Sequence, residues 1–219
     1  AFRRIQECCK SVYCERKKSA MYDSTLAMMG GNPSVTNQTK FQWPMIPEED
    51  IQAVVELLRT GEISDPGYGE PMRRLEDEWA RYLGVPFALS RVDGTAALHS
   101  ACFAVGLGPG DEAIVQSYTW ISTAACILAA GAIPVFADID PRTYTLDPND
   151  VERKITPRTR AIVVVHLWGH PAEMDAIMAI AARNGLAVIE DSSHAHGGTY
   201  RSRKVGTIGV PLPSTDARI

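Results

Sequence analysis

Short apolar runs alternate with helical patterns through most of this 219-residue chain. The runs at residues 112–115, 133–137, 161–165 and 186–189 have the length of strands, and β-branched side chains dominate the third. Strands that alternate with helices form a mostly parallel sheet that is covered by helices on both faces. The sequence therefore predicts an α/β fold, a three-layer sandwich with a mostly parallel sheet.

Further elements follow from caps, stops and periodicity. Helices are predicted at residues 47–60, 70–83, 95–105, 120–130 and 172–184, and two more strands at residues 87–90 and 205–208. Asp147 is expected to cap another helix, with Pro148 in its first turn. Gly61 and Gly185 act as helix stops. Trp79 has helical spacing with other apolar residues and is predicted to be a core residue.

Composition and charge exclude several classes of function. The chain is 45% hydrophobic and 22% charged, with a net charge of −4, which is ordinary for a globular protein and does not favour nucleic-acid or anionic-membrane binding. No apolar stretch is long enough to span a membrane, and the N-terminal segment lacks the apolar core of a signal peptide. A cytoplasmic location is therefore predicted.

The five cysteines form no disulfide framework. An odd number without regular spacing indicates a reducing compartment. Cys102 and Cys126 lie in apolar helical patterns and are predicted to be buried structural thiols. The cluster of Cys8, Cys9 and Cys14 has no matching second cluster, so zinc binding there is only a minor alternative.

Three features point to a bound cofactor. Asp93-Gly94-Thr95 leads into a helix, so its backbone amides are suited to an anion; the alternative is that Asp93 or Thr95 is simply a helix cap. Trp120 follows a strand and is placed either to stack on a flat ring or to pack along its helix. Asp191 follows a buried strand, where a carboxylate can pair with a cationic ring nitrogen, cap a helix or bind a metal. Together these features suit a planar, phosphorylated, nitrogen-containing cofactor.

A metal site is the main alternative from the residues alone. His166, His194 and His196 follow strand ends and, together with Asp191, provide the ligands of a metal-dependent hydrolase. A nicotinamide oxidoreductase is a weaker alternative, because no G-x-G-x-x-G fingerprint follows an early strand.

Several motifs, taken in order, resemble the pyridoxal-phosphate (PLP) dependent sugar aminotransferases named after DegT. The motifs are residues 26–33, Gly94-Thr95-Ala96-Ala97-Leu98-His99, residues 108–112, Tyr118-Thr119-Trp120, residues 134–140, 155–160 and 166–170, and Glu190-Asp191 with residues 194–197. The resemblance implies the large domain of a PLP-dependent transferase over residues 26–209. It also implies a keto-sugar, often nucleotide-linked, or a keto-cyclitol as acceptor, glutamate or glutamine as amino donor, and a homodimer for the full-length protein.

The resemblance assigns roles to individual residues. Gly94 and Thr95 are expected to hold the PLP phosphate, Trp120 to stack on the ring, and Asp191 to pair with the ring nitrogen. His194 stands where the family usually has glutamine near the ring hydroxyl, which suggests a subgroup acting on keto-cyclitols. Asp93 replaces the usual serine, and its negative charge is unfavourable beside a phosphate unless the side chain turns away.

The family's Schiff-base lysine is expected beyond Asp191, after a further strand. The only lysine there is Lys204, in a polar turn that is predicted to be solvated. Residues 1–25 are an unassigned extension in which Met21 is a possible start, and residues 210–219 are an aberrant tail. We therefore expect a truncated large domain without the small C-terminal domain, inactive alone. A remnant that binds no ligand is the other alternative.

Overall fold

The structure is a computed structural model, and it describes residues 27–32, 46–61 and 69–207. The chain divides into two compact units, Ala1–Gly61 and Glu62–Ile219. In the first unit, a 3-10 turn (Ala27–Met29) and helix α1 (Glu48–Thr60) are described. Helix α1 ends at Gly61, whose φ of 74° confirms the predicted stop. The expectations for residues 1–25, including Met21, and for residues 210–219 lie outside the described residues.

The second unit alternates strands and helices, with helix ends within about two residues of the prediction. Its elements are α2 (Glu70–Leu83), α3 (Gly94–Ala104), β1 (Glu112–Gln116), α4 (Ile121–Ala129), β2 (Ile133–Ala137), α5 (Pro148–Lys154), β3 (Thr159–Val165), α6 (Met174–Asn184), β4 (Ala187–Asp191), β5 (Thr199–Tyr200) and β6 (Arg203–Lys204). Asp147 caps α5 by accepting a hydrogen bond from the Asn149 amide at 2.9 Å, as predicted. None of the described helices is both long and apolar enough to cross a membrane.

The main sheet has four parallel strands in the order β2-β1-β3-β4. Ile114 at the centre of β1 is in register with Val135 of β2 and Ile162 of β3, and Val163 is in register with Ile189 of β4. All carboxyl ends of the strands therefore meet at one edge of the sheet, which is where ligands bind in folds of this kind.

Each face of the sheet carries its own hydrophobic core, which confirms the predicted three layers. Alternate side chains point to opposite faces of a strand. On one face Ile114, Ile162 and Val164 pack with residues of α5 and α6. On the other, Ala113, Val115, Ala161 and Val163 pack with residues of α3 and α4, including Cys102 and Cys126. Both thiols are free and fully buried, as predicted, with their sulfur atoms 3.7 Å apart.

The predicted strand at residues 87–90 is wrong. No described strand pairs with it, and the Ser90 amide donates instead to the Glu76 carboxylate at 2.7 Å. Phe87 is 84% exposed and Leu89 is 52% exposed. The apolar pattern was correct for a strand, but a strand also requires a neighbour with free backbone groups.

The predicted strand at residues 205–208 is also wrong for its described part. A hairpin between β5 and β6 ends the pairing at Lys204, and Gly206 turns the chain with a φ of 82°. Val205 is buried in the core, and Ile208 lies outside the described residues.

Two side chains differ from their predicted environments. Lys204 is half-buried, not solvated: its Nζ contacts the Tyr82 carbonyl and lies 3.2 Å from the centroid of the Tyr82 ring. Trp79 is 37% exposed, not a core residue, and contacts Tyr82 and His196. Both residues lie on the surface between α2 and the segment after β4.

Candidate functional site

The five residues predicted to bind a cofactor line one cavity. It has a volume of about 220 Å³ and lies at the carboxyl edge of the sheet. The cavity is lined by Gly94, Thr95, Leu98, Thr119, Trp120, Ser122, Thr123, Val165, Asp191, Ser193 and His194. These residues come from the ends of β3 and β4 and from the starts of α3 and α4, so the parallel topology brings distant segments together.

Helix α3 presents its N-terminus to the cavity through Gly94 and Thr95. The first amides of a helix have no intrahelical partner and attract anions. Asp93 caps the helix by accepting from the Ala96 amide at 2.7 Å, so the amides of Gly94 and Thr95 are the ones suited to a ligand. The Thr95 hydroxyl donates to Ser122 at 2.9 Å, which ties this anion site to α4. The helix-cap alternative for Asp93 is confirmed, and it is compatible with an anion site.

Trp120 precedes the first residue of α4 and is not packed along that helix. Its backbone is extended, with φ −65° and ψ 141°, and its side chain is 72% exposed at the cavity. The packing alternative for Trp120 is therefore wrong. A large aromatic ring exposed at the wall of a cavity is placed to contact a flat ligand.

Asp191 is the last residue of β4 and is buried, with 7% of its surface exposed. Its Oδ2 accepts a hydrogen bond from the Thr123 hydroxyl at 3.0 Å. Its Oδ1 accepts from the Ser193 amide at 3.1 Å and from the Ser193 hydroxyl at 2.6 Å. These three hydrogen bonds fix the orientation of the carboxylate.

Sequence reasoning missed Thr123 and Ser193. Ser193 had a local signal, because an aspartate often accepts from the amide two residues later in a turn. Thr123 had none: its contact with Asp191 joins two residues 68 positions apart. Thr123 is in turn braced by Thr119, whose hydroxyl oxygen lies 3.1 Å from its own.

A pair of thiols supports the helix turn that carries Thr123. The Cys126 thiol donates to the Thr123 carbonyl at 3.1 Å, and the Cys102 thiol donates to the Cys126 sulfur. That hydrogen bond, together with burial, raises the pKa of the Cys102 thiol. The Cys102 thiol is therefore expected to stay protonated and unreactive, whereas the hydrogen bond that it donates lowers the pKa of the Cys126 thiol.

The histidines do not form a common site. His166 is fully buried; its Nδ1 accepts from the Ala172 amide at 3.1 Å, so the proton lies on Nε2, which donates to Glu190 at 3.0 Å. His196 packs edge-on against Trp79, with ring centroids 5.8 Å apart. Only His194 lines the cavity with Asp191. Among the described residues no three His, Cys, Asp or Glu side chains come together as metal ligands, so the structure gives no support to the metal alternative.

None of the described lysines lines the cavity. Within the part of the chain that the structure describes, the lysines are Lys154 at the end of α5 and Lys204 beside Tyr82. Neither lines the cavity. The arrangement thus provides an anion site, a flat aromatic surface and a fixed carboxylate, which suits non-covalent binding of a ligand with complementary groups.

Relatives of this chain include a cyclitol aminotransferase and a polysaccharide biosynthesis protein. The chain is 42% identical to L-glutamine:2-deoxy-scyllo-inosose aminotransferase of Streptoalloteichus tenebrarius, over 84% of this chain and 44% of that protein. It is 44% identical to the spore coat polysaccharide biosynthesis protein SpsC of Bacillus subtilis, over 77% of this chain and 43% of that protein. The chain thus spans less than half the length of these relatives.

Two solved structures share the fold of this chain. An aminotransferase from Psychrobacter cryohalolentis matches with a TM-score of 0.74 and 38% identity, over 77% of this chain and 42% of that one. The ntda protein of Bacillus subtilis, solved with bound cofactor PMP, matches with a TM-score of 0.63 and 35% identity, over 66% of this chain and 33% of that one.

A family model provides the assignment. The model of the DegT/DnrJ/EryC1/StrS aminotransferase family matches residues 44–212. This range includes every residue that lines the cavity. This agrees with the resemblance seen in the motifs and with the fold. The chain belongs to the DegT/DnrJ/EryC1/StrS aminotransferase family.

Proposed function

We propose that this chain is the cofactor-binding half of a PLP-dependent aminotransferase that acts on a keto-sugar or keto-cyclitol. The observation that carries the proposal is the convergence of Gly94, Thr95, Trp120, Asp191 and His194 on one cavity. These residues are far apart in sequence, and the anion site, the aromatic ring and the carboxylate match the phosphate, the ring and the ring nitrogen of PLP.

Each residue has a proposed task. The α3 amides at Gly94 and Thr95 would hold the phosphate, and Trp120 would cover one face of the ring. When bound, PLP supplies an electron sink for bonds at the amino carbon of a substrate, provided that its ring nitrogen is protonated. Asp191 would hold that proton through a charge-assisted hydrogen bond, which would contribute about 1.5–3 kcal/mol. His194, which lines the cavity, would be the neighbour of the ring hydroxyl.

Thr123 and Ser193 position the catalytic carboxylate. Their three hydrogen bonds to Asp191 keep both oxygens oriented before a ligand arrives. A carboxylate that is already oriented loses little conformational entropy on binding, so its interaction with the ring nitrogen is stronger.

The proposed acceptor is a keto-cyclitol and the proposed donor is glutamine. The L-glutamine:2-deoxy-scyllo-inosose aminotransferase relative supports both. His194 in place of the family's usual glutamine also supports a cyclitol subgroup. Free thiols at Cys102 and Cys126 suit a cytoplasmic location, and a homodimer is the proposed assembly of the full-length protein.

We expect PLP to bind without a covalent bond, because neither described lysine lines the cavity. For the same reason we expect no turnover by this chain alone. The test is a PLP titration followed by absorbance, then borohydride reduction and mass spectrometry. Reversible binding without a specific lysine adduct supports the proposal. Stoichiometric labelling of one lysine refutes non-covalent binding, and no binding at millimolar PLP favours a ligand-free remnant.

The reaction itself requires the rest of a family member. Residues 44–207 of this chain can replace the matching half of a cyclitol aminotransferase relative. With 2-deoxy-scyllo-inosose and L-glutamine, the chimera is expected to form the amino-cyclitol, detected by mass spectrometry. A folded, PLP-binding chimera that transfers no amino group to any keto-cyclitol or keto-sugar would contradict the proposed reaction.

A further inference from the structure

Three exposed aromatic residues form a cluster outside the cofactor cavity. Tyr118, Tyr144 and Trp168 are 46%, 45% and 65% exposed. Their ring centroids are 5.8 Å apart for Tyr118 and Trp168, 6.0 Å for Tyr144 and Trp168, and 6.4 Å for Tyr118 and Tyr144. We call these residues the aromatic trio. Exposed apolar clusters of this kind commonly mark ligand sites.

The aromatic trio lies on the ligand-binding side of the sheet. Tyr118 follows β1, Tyr144 lies in the connection after β2, and Trp168 lies in the 3-10 turn (Leu167–Gly169) after β3. Three adjacent strands therefore each contribute one ring beyond their carboxyl ends.

The backbone holds the trio in place. Tyr144 and Trp168 have left-handed backbones, with φ of 60° and 52°, a conformation that is strained for a non-glycine residue. The Tyr144 amide donates to the Asp140 carbonyl at 2.8 Å. The Tyr118 carbonyl accepts from the buried Gln116 side chain at 2.9 Å. Such strain persists where surrounding contacts fix it, and it concentrates at ligand sites.

The trio adjoins the cofactor cavity. The Trp168 amide donates to Nδ1 of His194 at 3.4 Å, and His194 lines the cavity. Tyr118 is separated from the cavity residue Trp120 only by Thr119, which also lines the cavity. A ligand that reaches from the cavity toward solvent along this side therefore meets the trio.

The size of the trio favours a small ring over a protein partner. A stable protein interface needs about 20–30 residues on each side, whereas the trio offers three. A polyhydroxylated six-membered ring presents an apolar C–H face to aromatic rings, and its hydroxyl groups are able to form hydrogen bonds with tyrosine hydroxyls.

Charge on the neighbouring loop disfavours the diphosphate group of a nucleotide-linked sugar. Arg142 is the only Lys or Arg in residues 138–147, and its guanidinium pairs with Asp140 at 2.7 Å. The loop that carries Tyr144 thus offers no unpaired cation to a diphosphate. We propose that the aromatic trio binds the uncharged ring of the amino-acceptor substrate, a polyhydroxylated carbocycle or sugar; this rests on the proposed function.

The test measures binding of scyllo-inositol, an uncharged polyhydroxylated ring, by saturation-transfer NMR on the whole chain. Trp168→Ala removes the largest ring. Tyr118→Leu removes a ring at a residue without a left-handed backbone, and it is the second test variant if Trp168→Ala is unstable. Phe103→Ala is the matched control, since Phe103 is 72% exposed and outside the trio. We expect binding at least fivefold weaker in both trio variants and unchanged in the control.

A PLP titration of the same variants separates this inference from the proposed function. PLP affinity is expected to change less than twofold in the trio variants. If the unaltered chain does not bind PLP, the proposed function is refuted even if scyllo-inositol binds the trio. Equal scyllo-inositol binding by the unaltered chain and both variants overturns the inference, as does no binding by the unaltered chain. The inference is also overturned if uridine binds instead of scyllo-inositol and its binding is weakened in the trio variants, because the trio would then recognise a nucleobase.

Discussion

Asp191 illustrates how much of a site depends on neighbouring residues. Its position at the end of β4 follows from the sequence, but its orientation follows from Thr123 and Ser193. A carboxylate without these partners would rotate and face water, where a hydrogen bond to a ligand contributes less.

Replacement of Asp191 by asparagine retains the shape of the side chain and removes its charge. In the chimera described above, Asp191→Asn is expected to lower kcat/KM about tenfold to 100-fold or more, because the ring nitrogen loses a charged partner worth about 1.5–3 kcal/mol. His196→Asn is the control, since His196 packs on Trp79 and does not line the cavity. Equal losses in the two variants would point to a histidine-centred site instead.

Asp93 offers a change that should strengthen phosphate binding. Its carboxylate caps α3 beside the proposed phosphate site, and two charges about 4 Å apart repel by about 1 kcal/mol even in bulk water. Asp93→Ser keeps an efficient helix cap and removes the charge. Isothermal titration with pyridoxamine phosphate is expected to show about fivefold tighter binding, with an unchanged melting temperature. Weaker binding by the serine variant would show that the Asp93 carboxylate assists the site.

At the scale of elements, Glu112 connects β1 to the turn before β3. Its carboxylate accepts from the Thr156 hydroxyl and from Nε of Arg158, the latter at 2.9 Å. The hydrogen bond from Thr156, with Arg158 beside it, holds the pKa of the Glu112 carboxyl below its ordinary value of 4.5. The two central strands are thereby linked at their amino ends.

This lowered pKa predicts a dependence of stability on pH. Since the folded pKa lies below the unfolded one, the contribution of Glu112 is fully present above about pH 4.5 and is lost as the pH falls through the folded value. Urea unfolding at pH 6 and pH 3.5 measures the change in unfolding free energy. Glu112→Gln is expected to show a smaller change than the unaltered chain. An identical change in both proteins would exclude Glu112 as a contributor.

The sequence predicted elements well where local signals sufficed. The caps at Asp147 and Gly185 and the four apolar strands need no distant partner to be recognised. The strand predicted at residues 87–90 is wrong because strand pairing depends on a neighbouring strand. The strand predicted at residues 205–208 is wrong because the pairing of the hairpin ends at Lys204. The same limit applies in the site: Trp120 and Asp191 follow from strand ends, whereas Thr123 and the aromatic trio depend on tertiary contacts.

At the scale of the whole molecule, large apolar side chains remain on the surface of the second unit. Phe87, Leu89 and Phe103 are 84%, 52% and 72% exposed. Among the described strands, β4 pairs only with β3, so its other edge has no strand partner. Open strand edges and exposed apolar surface promote association.

The chain is therefore expected to self-associate when purified. Size-exclusion chromatography with light scattering should show oligomers or soluble aggregates that increase with concentration, together with a broad thermal transition. Substitution of Phe87 by serine should reduce association without loss of helical circular dichroism. A monodisperse monomer with a sharp cooperative melt would show that this surface is compatible with a self-sufficient domain.

The central claim is that the cavity binds the phosphate, ring and ring nitrogen of the cofactor through this chain's own residues. Pyridoxamine phosphate tests it most directly, because it has no aldehyde that could react with surface lysines. Isothermal titration should give one binding site per chain, with affinity at least tenfold weaker in Asp191→Asn and Trp120→Ala and unchanged in His196→Asn. Equal affinity in all four proteins would contradict the account.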